Sequence, residues 1–236
     1  MSAELGPLTL AWDTATPDTV VGLGDADALI AERVLGPGTE GRPRHGPGLL
    51  GAVEGVVDEG GGWPRVGRIA VGIGPGSFTG IRIGVATARA LAQARRLPIV
   101  GVETSAALAA GIPDEDARGR PRLAVIDARR GEVFAAILRP GAGPDEPVVS
   151  APEALPAAVQ GLAGALAAGD GAVRFRHELE TVGVEVLPDQ HPAHRLSARP
   201  LCVLSASNEE GAPEAIRPLY LRRPDAERWL ERDSRN

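Results

Sequence analysis

A glycine-rich segment is the first candidate for chemistry in this sequence. Residues 74–80 (Gly-Pro-Gly-Ser-Phe-Thr-Gly) follow an apolar run that predicts a strand, residues 68–73, and precede a run that predicts a helix to about Arg96. Backbone N–H groups and the helix dipole can hold an anion at such a junction. The alternative is a tight turn capped by Ser77 or Thr79, which we favour because no lysine follows as it does in a Walker loop.

Two aspartates each end a predicted strand at a turn. Asp13 and Asp127 lie inside two strand–turn–strand units, residues 8–23 and 123–138, about half a chain apart. This repetition predicts an internal duplication. Each carboxylate either approaches a nucleotide phosphate or caps its own turn, and we favour capping because side chains replace the glycines that a bound phosphate requires. The residues that a nucleotide would approach are Asp13, Thr14, Ser77 and Thr79.

Small residues recur along one face of the helix predicted after the glycine-rich segment. They stand four positions apart and therefore share that face: Gly80, Gly84, Ala88 and Ala92. Such a flat strip allows another helix to approach closely. The occupant is either the preceding helix of this chain, predicted over residues 48–59, or a helix of a partner molecule, and the spacing leaves both open.

Composition excludes several kinds of site. A net charge of −6 argues against direct binding of a nucleic-acid backbone, so any RNA contact is expected to be indirect. The single cysteine, Cys202, excludes an internal disulfide and a cysteine-based zinc cluster, and we expect it to be buried. His191 and His194 flank a Pro-Ala pair and cannot form the helical pair of many metal sites. All four histidines, including His45 and His177, are therefore expected on the surface, with no metal site and no catalytic residue.

The chain is expected to form two lobes. The first lobe is predicted over residues 1–104, and a smaller one with a terminal helix over 105–236, where residues 225–232 form that helix and residues 152–168 an alanine-rich one. Residues 1–10 resemble no secretion signal, and no apolar run approaches the roughly 20 residues that span a bilayer. We therefore expect a cytoplasmic protein without membrane contact.

The run over residues 69–92 resembles the signature of the TsaB family, also called YeaZ-like. Residues 12–17, 126–134 and 218–226 continue the resemblance in the same order. It implies a duplicated α/β fold of the actin-like or ribonuclease-H-like (ASKHA) type with two lobes. It also implies a non-catalytic subunit of the complex that makes threonylcarbamoyladenosine in tRNA, paired with a TsaD-like catalytic subunit and a TsaE-like ATPase. A histidine pair holds the catalytic metal in TsaD-like relatives, and this sequence lacks that pair.

The resemblance also implies a partner surface on the first two helices of the first lobe. Carried over to this sequence, the interface residues are Leu49, Leu50, Val53, Val57, Gly80, Arg82, Ile83, Gly84, Thr87, Ala88 and Leu91. The chain departs from the family where Gly46-Pro47 replaces a Ser-Glu pair after His45, so polar contacts at that place are not carried over. No cofactor is expected on this chain alone, while ATP or ADP at the complex interface is compatible with the family.

Two further hypotheses stay open, and a third is disfavoured. Self-association through the same helices is an alternative when the partner is absent, because an exposed apolar strip tends to become covered. An autonomous nucleotide-dependent phosphotransferase is the alternative function, motivated by Asp13, Asp127 and the glycine-rich segment. A peptidase is disfavoured by the missing histidine pair.

Overall fold

The computed structural model describes residues 7–39, 41–159 and 161–222. The first of its two sheets contains β1 (Leu8–Asp13), β2 (Thr19–Gly24), β3 (Leu29–Leu35), β4 (Val66–Gly72) and β5 (Ile99–Val102). The strand order is β3-β2-β1-β4-β5, with β1, β2 and β3 antiparallel in turn and β1, β4 and β5 parallel. Every residue of β1 is buried because other elements cover both faces of the sheet.

The second sheet repeats this topology. It contains β6 (Arg122–Arg129), β7 (Glu132–Leu138), β8 (Val148–Ser150), β9 (Leu166–Ala168) and β10 (Glu185–Val186). Read from β8, the order is β8-β7-β6-β9-β10, again with three strands antiparallel in turn and a parallel pair beyond the central strand. The predicted duplication is therefore confirmed, and the chain has the duplicated actin-like α/β fold.

Helices cover both sheets. They are α1 (His45–Glu59), α2 (Phe78–Arg95), α3 (Thr104–Ala110), α4 (Asp114–Ala117), α5 (Leu155–Ala158), α6 (Asp170–Arg174), α7 (Arg176–Glu180) and α8 (Ala198–Ser205). α1 packs on β2 and β3, and α2 on β4, so the two helices lie side by side on one face of the first sheet. α8 covers the opposite face and contacts α3, which packs on β6 and β7. One apolar core thus joins the two sheets through α3 and α8.

The predicted alanine-rich helix over residues 152–168 is wrong. A 3-10 turn (Pro152–Ala154) and the single turn of α5 replace its first part, and β9 replaces its end. Gly161 and Gly164 adopt positive φ angles of 84° and 82°, which end any helix there. β9 then pairs in parallel with β6, so sheet formation overrides the helical propensity of alanine. The loop predicted around residues 141–152 likewise contains β8.

The chain returns to the first sheet after completing the second. α8 packs on β1 and β2, the Gly211 N–H donates to the Ile99 carbonyl at 2.9 Å, and the Leu219 N–H donates to the Ile73 carbonyl at 2.8 Å. The division at residue 105 stays a prediction, and the predicted helix over 225–232 lies outside the described residues. Among the helices of the described ranges, none is long and apolar enough to cross a membrane.

Candidate partner surface and interlobe cleft

The small-residue strip of α2 is buried against β1. The Trp12 indole N–H donates to the Gly84 carbonyl at 3.1 Å, and the Thr14 hydroxyl donates to the Gly80 carbonyl at 2.7 Å. A Cβ at Gly80 would lie 1.9 Å from the Thr14 carbonyl oxygen, and one at Gly84 would lie 2.4 Å from the Thr14 hydroxyl. The strip therefore brings α2 close to its own sheet.

Six of the predicted interface residues are consequently wrong. They are buried in the core of the first lobe, where a partner cannot contact them: Leu49, Val53, Val57, Gly80, Gly84 and Ala88. Arg82 is exposed, but its guanidinium already stacks on the Phe78 ring, with 3.8 Å from Cζ to the ring centroid. The family resemblance thus assigned several residues of the inward faces of α1 and α2 to a partner, and a partner surface on these two helices stays a prediction.

The outward faces of α1 and α2 form a partly apolar surface, called here the α1–α2 surface. Leu50 is 54% exposed, and added Cβ atoms at Gly51 and Gly55 would meet nothing within 4 Å. The members are Leu50, Gly51, Gly55, Ile83, Thr87 and Leu91. The four larger ones were predicted as interface residues, and their role stays a prediction.

The glycine-rich segment forms the capping turn that we favoured. The Ser77 hydroxyl accepts from the Gly80 N–H at 3.3 Å and caps α2. The Ser77 N–H donates to the Ala15 carbonyl at 2.7 Å, and the Gly74 N–H donates to the Thr104 hydroxyl at 3.1 Å. Two N–H groups that an anion would need are thus already bound within the fold.

Asp13 lies beneath this turn, fully buried. One carboxylate oxygen accepts from the Ala15 N–H at 2.7 Å, and the other accepts from the Thr104 hydroxyl at 2.6 Å. Burial raises the pKa of Asp13, while the hydrogen bonds from Thr104 and the backbone oppose that rise. Thr14 is equally buried. The prediction that these two residues approach a nucleotide is therefore wrong, because neither side chain reaches the surface.

A cleft of about 610 Å³ separates the two sheets, and Ser77 and Thr79 do line it. Its walls come from residues 15–17, 75–79, 126–130 and 219–222. Asp127 lies at its edge, where one carboxylate oxygen accepts from the Arg129 N–H at 2.8 Å, as predicted for a turn cap. Within the described ranges, no group of three or more His, Cys, Asp or Glu side chains is placed to hold a metal ion.

Sequence reasoning missed the structural roles of two polar residues, Asp170 at the cleft and His45 in the first lobe. Asp170 accepts from the Asp127 N–H at 3.0 Å and joins α6 to the end of β6. His45 was predicted on the surface, but it is buried, with Nδ1 2.8 Å from the Thr19 hydroxyl. Burial lowers the pKa of His45, opposed by the nearby Asp18 carboxylate. Its place next to an apolar helical run was the only signal in the sequence.

The chain is similar to several known proteins and to one family model. The family model "TsaD: tRNA N6-adenosine threonylcarbamoyltransferase" matches residues 44–145. An uncharacterized Mycobacterium tuberculosis protein is 31% identical over 220 residues, 92% of each chain. The Escherichia coli "tRNA threonylcarbamoyladenosine biosynthesis protein TsaB" is 37% identical over 126 residues, 53% of this chain. The solved structure of YeaZ from Pseudomonas aeruginosa superposes with a TM-score of 0.69 at 27% identity, covering 91% of this chain and all of that one.

The chain belongs to the TsaB (YeaZ) family. The alignment spans only about half, 52%, of the E. coli TsaB that it matches. The matched segment of the TsaD model, residues 44–145, contains α1 and α2 as well as the β6–β7 hairpin. The region shared with TsaD-type proteins thus includes the α1–α2 surface and one wall of the cleft.

The buried carboxyl of Asp13 in this TsaB-family chain predicts a particular pH dependence of stability. Because its pKa is raised above the ordinary 3.8, its protonated form favours the folded state, and that contribution is present below pH 3.8 and lost as the pH rises through the folded-state pKa. Relative to Asp13→Asn, the free energy of unfolding of the parent should therefore decrease over this window. Urea unfolding of both proteins at several pH values measures the difference, and an increase with pH would show that the fold stabilises the carboxylate.

Proposed function

We propose that this TsaB-family chain is a non-catalytic subunit of the complex that makes N6-threonylcarbamoyladenosine in tRNA, and that it dimerises with a TsaD-like catalytic subunit. The observation that carries this proposal is the similarity to the E. coli and Bacillus subtilis proteins named for threonylcarbamoyladenosine biosynthesis, at 37% and 34% identity over 126 residues each. The chemistry would then lie on the partner.

The α1–α2 surface is the proposed docking site for the TsaD-like subunit. Leu50 supplies exposed apolar area, and the bare backbone at Gly51 and Gly55 lets a partner helix approach closely. Ile83, Thr87 and Leu91 continue the surface on the adjacent helix. Self-association through this surface is the proposed state when the partner is absent.

Other partners follow from the same proposal. The net charge of −6 favours an indirect contact with tRNA, through the catalytic subunit rather than through this chain. A TsaE-like ATPase would complete the complex, and ATP or ADP would bind at an interface between subunits. A complex of this kind would act in the cytoplasm.

The subunit role fits the site better than an autonomous phosphotransferase does. Both oxygens of Asp13 accept hydrogen bonds inside the fold, from Ala15 and Thr104, so the carboxylate is not placed to meet a phosphate or a metal in the cleft. Side chains, rather than glycines, occupy the first two positions of the turn after Asp127, at Ala128 and Arg129. Crowding at this turn disfavours close approach of a nucleotide phosphate.

Reconstitution tests the proposal. The TsaD-like subunit, the TsaE-like ATPase and the adenylate-forming enzyme from the same source would be incubated with tRNA and the substrates of the adenylate-forming enzyme, with and without this chain. Threonylcarbamoyladenosine, measured by mass spectrometry of digested tRNA, should form only when the chain is present. Equal product without it would contradict the subunit role, and ATP turnover by the pure chain that Asp13→Asn abolishes would favour the phosphotransferase.

A further inference from the structure

The last described residues, 216–222, contact both lobes, and residues 219–222 line the cleft. We call them the C-terminal clasp. On the first lobe, the Leu219 N–H donates to the Ile73 carbonyl at 2.8 Å, and the Arg89 guanidinium donates to the Ile216 carbonyl. The clasp is therefore fixed by its backbone to the edge of the glycine-rich segment and to the side of α2.

An aromatic and cationic cluster adds a second attachment to the first lobe. The ring centroids of Tyr220 and Phe78 are 4.8 Å apart, and the Arg82 guanidinium covers the Phe78 ring. The Nε–H of Arg82 also donates to the Tyr220 hydroxyl at 3.0 Å. Such stacking and cation–π contacts stabilise even partly exposed side chains, so Tyr220 binds the clasp to the first turn of α2.

Two residues further along, the clasp reaches the second lobe. The Arg222 guanidinium donates to the Glu132 carboxylate at 2.7 Å and to the Ala128 carbonyl at 3.3 Å. Both partners belong to the β6–β7 hairpin, whose turn forms the opposite wall of the cleft. The Arg222 and Glu132 side chains are 23% and 29% exposed, so this charged pair is partly shielded from water. Arg222 therefore ties the two walls together.

We propose that the C-terminal clasp is a latch that holds the cleft closed, and that the cleft opens when Arg222 leaves the β6–β7 hairpin. The lobes are also joined by the core around α3 and α8, against which Leu221 of the clasp packs, and this core serves as the hinge. Residues 219–222 themselves line the cleft, so release of Arg222 separates this wall from the β6–β7 hairpin opposite. Because Tyr220 and Ile216 are bound to Arg82 and Arg89, the latch links the position of α2 to the state of the cleft.

The distance between the lobes tests the latch in the isolated chain, without reference to any partner or activity. Spin labels would be attached at Ala26→Cys in the first lobe and Ala157→Cys in the second, both exposed positions. The native Cys202 should stay unlabelled, because burial raises its pKa to about 12. Arg222→Ala should enrich a longer-distance population about tenfold, as expected for the loss of hydrogen bonds to a charged group.

A matched control separates the latch from general loss of an ion pair. Arg139→Ala removes an arginine–aspartate pair with Asp145 that lies within the second lobe, and it should leave the distance distribution unchanged. Glu132→Gln should give an intermediate shift, and it serves if Arg222→Ala fails to fold by circular dichroism. An unchanged distribution in folded Arg222→Ala, or in Glu132→Gln when Arg222→Ala does not fold, would overturn the proposal, as would an equal shift in Arg139→Ala.

Discussion

Gly80→Ala should lower the free energy of unfolding by about 2–4 kcal/mol, the sum expected for overpacking and for a weakened buried hydrogen bond. The added Cβ would lie 1.9 Å from the carbonyl oxygen of Thr14, which is backbone and cannot rotate away. α2 must therefore move off β1, which stretches the bond from the Thr14 hydroxyl to the Gly80 carbonyl. Urea unfolding followed by circular dichroism measures the loss.

Gly55→Ala is the matched control, since it makes the same substitution on the neighbouring helix. A Cβ at Gly55 would meet nothing within 4 Å, so only the backbone effect of replacing a helical glycine remains. That effect should stabilise the chain by about 0.5–1 kcal/mol. If Gly80→Ala were as stable as the parent, α2 could not be packed on β1 as described.

The same glycine strip shows what the sequence could and could not predict. Four-residue spacing establishes that Gly80 and Gly84 share one helix face. It does not identify the neighbour, because that neighbour, Trp12 and Thr14, lies more than 60 residues earlier in the chain. The pattern therefore predicted close packing correctly, and assigned it to a partner as readily as to the chain itself.

Local patterns predicted the strands and helices best where they were long and regular. The two hairpins and the helices α1 and α2 follow directly from apolar spacing and turn residues, as does the Ser77 cap. The structure differs from the prediction where contacts between distant segments of the chain decide the local structure. Parallel pairing with β6 makes a strand of Leu166–Ala168, and the sheet behind α1 buries His45. Neither partner could be identified from the neighbouring sequence.

The candidate site at the cleft also depends on contacts between residues that are far apart in the sequence. Asp13 ends a strand at a turn, as predicted, but its oxygens are bound by Ala15 and by Thr104, which begins α3 some 90 residues later. Arg222 belongs to a segment that the family resemblance had already marked, yet its contact with Glu132 requires the folded arrangement of both lobes. Residue type and position in the sequence identify charged side chains such as these. Whether each one binds a ligand or stabilises the fold depends on its hydrogen-bond partners in the folded chain.

Leu50→Asp should weaken binding of the TsaD-like subunit at least about 100-fold, the loss expected at the centre of an interface when an apolar anchor becomes a charge. Leu50 is 54% exposed in the isolated chain, so its removal takes little from the core. Calorimetric titration with the purified catalytic subunit measures the affinity, and circular dichroism checks that the helix is retained.

Val149→Asp provides the matched control for Leu50→Asp. Val149 is also apolar and 41% exposed, but it lies on β8 in the second lobe, away from the α1–α2 surface. The same charge placed there should leave partner affinity within about twofold, because Val149 lies outside the proposed docking site. Normal binding by Leu50→Asp together with lost binding by Val149→Asp would move the interface to the second lobe. Loss in Leu50→Asp alone would locate the partner on the outward faces of α1 and α2, opposite the buried glycine strip.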